Sequence, residues 1–356
     1  MEDKTTYKLG DISTMKYGKL PPKQIDKGKY PIWSGYRTVG YCNEFNCAKG
    51  DVIIVARGVG GTGDVKIAKE NCYLTNLSIH VKLDCNICLP EYFYYRFLLS
   101  NLKYLDSGSA QSQITIDDLK RLTLALPPLA QQYKTVNILR SFDNKIELNN
   151  RINHNLEEQA DGIVSSLLNV GTTVLRLSDI CKYVSQRIDC QSLTLDNYIS
   201  TENMVPSRGG VTKSSNVPTG TAIGYSSGDI LVSNIRPYFQ KIWKATYSGG
   251  CSNDVLCFRS STNSPSFLYH LLRQNSFFDH VMAGAKGSKM PRGDKAQIMN
   301  WTFVLSEDWE AMESKLFIID KKVALLRAQN LMLIELRDSV LPRLMSGELE
   351  INDLTC

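Results

Sequence analysis

No stretch of this chain approaches the 18 or so consecutive apolar residues that a bilayer-spanning helix needs, so a helical membrane protein is excluded. Met1 to Lys8 is polar and charged and has none of the character of a secretory leader, so a cytoplasmic location is expected. Neither sign of charge dominates: the net charge is +5 and the pI near 8.5, which permits an anionic partner without requiring one. Histidine is scarce, and His80, His154, His270 and His280 share no metal or triad spacing. Cysteine is the exception at ten residues, which without a leader read as reduced thiols, most of them small core fillers. Cys85 and Cys88 form one CxxC pair. A zinc site there would need two more ligands, with Cys42, Cys47 and Cys72 the nearby cysteine candidates, and no metal is expected.

Motifs of catalysis are missing as well. Gly58-Val59-Gly60-Gly61-Thr62-Gly63-Asp64 has the glycine spacing of a phosphate-binding loop, but Asp64 and Val65 stand where that loop needs Lys and then Ser or Thr. A carboxylate aimed at phosphate repels it, so a glycine-rich turn between strands is the better account. Pro127-Pro128 lies in Leu-Pro-Pro-Leu and lacks the stacking aromatic of an amino-methyltransferase motif. A nuclease built on Asp51, Asp64 and Lys66 lacks a spaced upstream acidic partner. The chain reads as non-catalytic.

What is present is a repeat. The 356 residues exceed one ordinary core, and composition is that of a soluble globular protein, 43% hydrophobic and 22% charged with mean hydropathy -0.20. Leu139, Phe142, Ile146, Asn149, Asn153, Leu156, Ala160, Ile163 and Leu167 alternate spacings of three and four. A shift of 177 residues gives Leu316, Ile319, Val323, Leu326, Asn330, Leu333, Arg337, Val340 and Leu344. Two long helices with coiled-coil seams follow, and if they pair antiparallel, the central Asn153 and Asn330 meet and pin the register.

The flanking segments repeat too. Leu9, Asp11 and Ile12 recur as Leu177, Asp179 and Ile180, and Gly50-Asp51-Val52-Ile53 as Gly228-Asp229-Ile230-Leu231. Pro90 and its helix recur at Pro265. Strands are expected at Val52 to Val55, Ser78 to Leu83 and Leu122 to Leu126, and the second long helix is expected to start at Ser306, a good N-cap, and run to about Met345. The order is globular, helix, globular, helix, an α+β chain with a pseudo-twofold internal repeat.

Two loops at matching positions carry amide and basic groups on a glycine-rich backbone: Gly108 to Gln113, with Ser109, Gln111, Ser112 and Gln113, and Ala285 to Arg292, with Lys286, Ser288, Lys289 and Arg292. Glutamine can pair with adenine edges, and Lys or Arg with guanine or phosphate. A second cluster follows each Gly-Asp turn: Arg57 and Lys66, then Asn234, Arg236, Tyr238 and Lys241. Solvated loops and exposed strands would carry the same residue types.

The chain resembles a specificity (S) subunit of a type I restriction-modification system over nearly its full length. The resemblance rests on Tyr30-Pro31-Ile32-Trp33-Ser34-Gly35 with Gly40-Tyr41, on Leu126-Pro127-Pro128-Leu129-Ala130-Gln131-Gln132, and on Ser200-Thr201-Glu202-Asn203-Met204. Gly228-Asp229-Ile230-Leu231 with Asn234-Ile235-Arg236-Pro237, Gly250-Cys251-Ser252-Asn253-Asp254 and Leu341-Pro342-Arg343-Leu344-Met345-Ser346-Gly347 complete it. It implies two target-recognition domains, 1–128 and 171–305, each reading half of a split double-stranded DNA site, with helical spacers at 129–170 and 306–347 and a tail at 348–356. It also implies that two modification (methyltransferase) subunits dock on the helices and that restriction/translocase subunits join them. S-adenosylmethionine, ATP and magnesium would then sit on those partners, with no cofactor in this chain. From residue 139 to 167 is 28 steps, about 42 Å of helix or roughly 12 base pairs. The alternative is a non-catalytic protein-interaction scaffold with a coiled-coil spacer.

Overall fold

A computed structural model describes residues 4–35, 37–58, 61–106 and 112–349, Asn169 in its backbone alone. The architecture is α+β. The chain divides into two compact units, Met1–Glu147 with Asn330–Cys356, and Leu148–Gln329, so the division crosses both long helices, Leu129–Leu167 and Glu313–Ser346.

Each unit holds a four-stranded antiparallel sheet of the same order. In the first it runs Ser13–Tyr17, Ser78–Leu83, Val52–Val55, Val65–Ile67, and in the second Cys181–Tyr183, Val255–Ser260, Ile230–Ser233, Ile242–Lys244. The third strand in each order is buried at all four positions, as expected of a short apolar run covered on both faces. Each is entered by the repeated Gly-Asp turn, in which Gly50 and Gly228 have φ of +90° and +93°. An L side chain there is strained, which accounts for glycine at both positions.

Beside this lies a smaller sheet: Arg37–Cys42, Tyr30–Ser34 and Tyr73–Leu74 in the first unit, and Arg187–Asp189, Thr221–Tyr225, Gly249–Cys251 and Tyr198–Ile199 in the second. One pairing in each is parallel. A third, two-stranded element joins the start of each unit to the strand before its long helix: Thr5–Lys8 with Thr123–Leu126, and Leu168–Arg176 with Thr302–Leu305. The strand Leu168–Arg176 crosses the boundary that the resemblance implies between the spacer at 129–170 and the domain at 171–305. A register shift between Leu168 and Thr173 carries Gly171 so close to Leu305 that a Cβ would lie 1.8 Å from the Leu305 carbonyl oxygen.

The second long helix begins at Glu313, later than Ser306. A 3-10 segment, Glu307–Met312, intervenes, and Ser306 makes no side-chain cap bond. Trp309 in that segment is buried and stacks on Phe267 at 4.7 Å, so packing overrides the capping signal. Glu313 meanwhile accepts from the backbone N–H groups of Ser266 (3.1 Å) and Phe267 (2.8 Å), capping the helix Pro265–Leu272.

No rung of either ladder is exposed. In the first unit Val136, Leu139, Leu341, Leu344 and Met345 enter the core built on Val52, Ile54, Phe93 and Leu119. In the second, Ala160, Val164 and Leu316 enter the core of Phe258, Phe267 and Phe277. Within each unit the helices run antiparallel: Arg337 donates to Asp143 (2.6 Å) and Asn330 Nδ2 to the Ile146 carbonyl (3.5 Å), while Asn149 Nδ2 donates to Gln329 (2.8 Å) and Arg327 to Glu157 (2.7 Å). Asn149, Asn153 and Asn330 are all buried, so the polar centre of the ladders extends beyond the two asparagines that the repeat singles out. The Leu126-to-Gln132 motif also gains a reason: buried Gln132 accepts from the Leu89 N–H (3.0 Å) and donates to the carbonyls of Ile87 (2.8 Å) and Pro127 (3.0 Å), locking the helix start to the loop before Pro90.

Candidate nucleic-acid interface

In both units the strand after the Gly-Asp turn runs on to meet the loop that lies far away in sequence. In the first unit Arg57 bridges to Gln113, and the Ile114 N–H donates to the Ala56 carbonyl at 3.0 Å. In the second, Ile235 bridges to Arg292, and the Arg236 N–H donates to the Pro291 carbonyl at 2.8 Å. The two clusters that the sequence kept apart are therefore one place in each module, and the same place in both.

In the first module Arg57 is exposed. Asp106 accepts from the Ser112 hydroxyl at 2.6 Å and the Gln113 N–H at 2.8 Å. Ser112 and Gln113 are half-buried, and Ser109 and Gln111 lie outside the described residues. Lys66 sits apart from this bridge, its ammonium 5.7 Å from the centre of the Trp33 ring. The glycine run after Arg57 is a turn between strands, in which Gly63 donates to the Val55 carbonyl at 2.9 Å and has φ +91°; its residues 59 and 60 are outside the described set.

The second module is richer. Lys286, Ser288, Lys289, Met290 and Arg292 are exposed, and reciprocal backbone bonds between Lys286 and Arg292 (2.9 and 3.0 Å) close their loop. Lys286 pairs with Asp294 (3.0 Å) and Arg292 with Asp254 (3.1 Å), contacts that set direction more than they stabilise at such exposure. Tyr238 is 50% exposed and lies against Phe239 at 4.7 Å between ring centres. Lys241 donates to the Thr201 carbonyl (2.6 Å), and burial, then the neighbouring Arg236, lowers its pKa. Asn234 faces inward: it is buried and donates to the Gly293 carbonyl (3.2 Å), holding the strand end to the loop. Arg236 is half-buried.

Backbone strain marks the same place. Ser207, Arg208, Arg236 and Gln240, four of the five non-glycine residues with positive φ among the described residues, meet here, since the Ser207 and Arg208 N–H groups donate to the Phe239 (2.8 Å) and Gln240 (3.0 Å) carbonyls. Each such residue costs about 1–3 kcal/mol, and clustered strain is characteristic of binding surfaces. Arg208, which donates to the Arg273 carbonyl at 2.9 Å, was not visible from the sequence as a member of this group. The flanking Ser207-Arg208-Gly209-Gly210 was its only signal.

A buried ionic network lies elsewhere in the second unit. His270 is fully buried, with Nδ1 2.7 Å from Asp161 and Nε2 2.9 Å from Asp320. Arg273 holds Asp161 (2.9 Å) and Lys244 holds Asp320 (2.6 Å). Burial alone would depress the His270 pKa, but the two carboxylates outweigh it and raise it, so this network ties helix Pro265–Leu272 to both long helices.

Residues 1–158 match the family described as Type I restriction modification DNA specificity domain. Over 127 residues the chain is 31% identical to the Type I restriction enzyme HindI specificity subunit of Haemophilus influenzae, a match that covers 33% of this chain and spans only 28% of that relative. The crystal structure of a type I restriction-modification system S subunit from M. genitalium matches 96% of both chains with a TM-score of 0.58 at 17% identity, a likeness of fold. Among the described residues no helix is long and apolar enough to cross a membrane.

Proposed function

We propose that this chain, whose residues 1–158 belong to the type I restriction modification DNA specificity family, is the non-catalytic DNA-recognition subunit of a type I restriction-modification complex. The carrying observation is the twin bridge, Arg57 to Gln113 and Ile235 to Arg292, which puts basic and amide groups at the same place in two modules of one fold. Each module, at residues 1–128 and 171–305, reads one half of a bipartite double-stranded target. Arg57, Ser109, Gln111, Ser112 and Gln113 serve the first half, and Arg236, Tyr238, Lys241, Lys286, Ser288, Lys289 and Arg292 the second. Lys66 also serves the first half, and Asn234 holds the strand end to the loop of the second.

The helical spacers at 129–170 and 306–347 set the separation of the half-sites, about 42 Å or roughly 12 base pairs. They also dock two modification subunits, which bring S-adenosylmethionine, while restriction/translocase subunits bring ATP and magnesium. In favour of docking, Ile318, Leu325 and Met332 recur every seven residues along the second long helix and are 67%, 62% and 69% exposed. An exposed apolar stripe of this kind suits a protein partner. Asn153 and Asn330 pin the register of the pair.

Gel-shift titration with the modification partner over a range of salt tests the reading. Affinity should fall linearly in log–log form with a slope of about -0.9 per phosphate contacted. No DNA binding at low salt with the partner present would favour the interaction scaffold.

A further inference from the structure

The first module holds a cluster that DNA reading does not use. Cys47, Asp51 and His80 bring one thiol, one carboxylate and one imidazole together, with their ligand atoms within 4.8 Å of one another. They come from two separate segments: the turn before Val52–Val55, and Ser78–Leu83. Cys72, on a third segment, lies directly across an antiparallel bridge from Cys47, with which it exchanges both backbone hydrogen bonds (3.1 and 3.0 Å), and so fixes the backbone that carries the Cys47 thiol. Both cysteines are 1% exposed, while the His80 and Asp51 side chains are 19% and 20% exposed, so the cluster is sheltered yet reachable.

Comparison of the two modules sharpens the chemistry. Asp229 is the counterpart of Asp51, and there the carboxylate is gripped by Arg259 through two bonds of 2.7 and 2.6 Å. By strand register His80, opposite Ile53, corresponds to Cys257, opposite Leu231. In the first module the carboxylate's ion-pair partner is this histidine, with Nε2 2.8 Å from Oδ2. The guanidinium that grips the carboxylate in one module is thus replaced in the other by an imidazole, with a thiol beside it. The core it borders, Cys47, Ile53, Ala68, Cys72 and Leu74 with Trp33, is small, the setting in which a metal adds most to stability.

We propose that Cys47, Asp51 and His80 form a zinc-binding site in the first module, with a solvent water as the fourth ligand. Thiolate with imidazole selects zinc over calcium or magnesium, and tetrahedral zinc places its ligand atoms roughly 3.4–3.8 Å apart. The ion takes the place of the His80–Asp51 hydrogen bond, and binding releases the Cys47 thiol proton to solvent, so affinity rises with pH. The Cys85-Cys88 pair does not contribute: Cys85 is exposed, while Cys88 lies in the main core, where burial pushes its thiol pKa up to about 12.

The full chain, stripped of metal by a chelator and titrated with cobalt(II), tests this. One cobalt per chain is expected, giving the d–d bands of a tetrahedral ion and a thiolate-to-cobalt charge-transfer band that zinc abolishes by displacement. Cys47→Ser should remove the charge-transfer band. His80→Gln should weaken binding by more than the roughly 10–100-fold that loss of an outer-shell partner costs. Cys85→Ser should leave both intact, and circular dichroism of the metal-free variants shows that they are folded. Absence of a charge-transfer band in the unmodified chain, which needs no variant to interpret, would overturn the proposal. So would a band that survives Cys47→Ser or disappears in Cys85→Ser.

Discussion

His270→Gln is the perturbation whose outcome the structure fixes most closely. Glutamine keeps the size and a donor but removes the charge of a side chain that is 0% exposed between Asp161 and Asp320. A hydrogen bond to a charged partner is worth about 1.5–3 kcal/mol net against 0.5–1.5 for a neutral one, so the loss is about 1 kcal/mol for each of the two bonds. Arg273 and Lys244 still pair the carboxylates, which spares the larger penalty of an orphaned buried charge. The total is about 2 kcal/mol. Because the folded pKa of His270 is raised, its contribution is fully present below the unfolded value of about 6.5 and is lost as pH rises through the folded value. Asp161 and Asp320 work the other way. Burial would raise their pKa values, but His270 with Arg273 and Lys244 lowers them, so their contribution is present above about 3.9 and is lost as pH falls. Urea unfolding followed by tryptophan fluorescence suits the test, since Trp243, Trp301 and Trp309 belong to this unit. The variant should be less stable by about 2 kcal/mol near pH 6, and the gap should narrow as pH rises through the raised folded pKa of His270. A gap that does not change with pH would refute a cationic His270.

The interface makes separable predictions. Arg57→Ala should weaken binding and relax sequence preference in one half of the target, and Arg292→Ala in the other, each by about 1–3 kcal/mol, as measured by binding to targets with one randomised half. Effects on both halves from one substitution would contradict the modular reading. Replacing Asn153 and Asn330 together with Leu should raise the unfolding midpoint while loosening register. Unchanged half-site spacing and unchanged assembly would count against their role as a pin.

Periodicity made the helices and the repeat legible, because eighteen rungs and a recurring Gly-Asp turn are local patterns with local causes. The start of the second long helix was not, since Trp309 packs on Phe267, a residue 42 positions earlier, and that contact is invisible to a capping rule. Residue types single out Arg57, Gln113 and Arg292 as candidates but cannot say that the strand end and the distant loop are adjacent, because a bridge such as Ile235 to Arg292 depends on sheet register. Asn234 shows the converse: an amide that reads as a base-contacting group lies inside, donating to Gly293. His270 escaped notice because its partners Asp161 and Asp320 lie 109 and 50 residues away.

Footprinting of the chain on its target DNA with the modification partner bears most directly on the central claim. Two protected half-sites of defined sequence should flank a middle whose sequence is free but whose length is fixed, and exchange of residues 1–128 for another such domain should alter one half alone. A single contiguous footprint, or a change in both halves after the exchange, would contradict it.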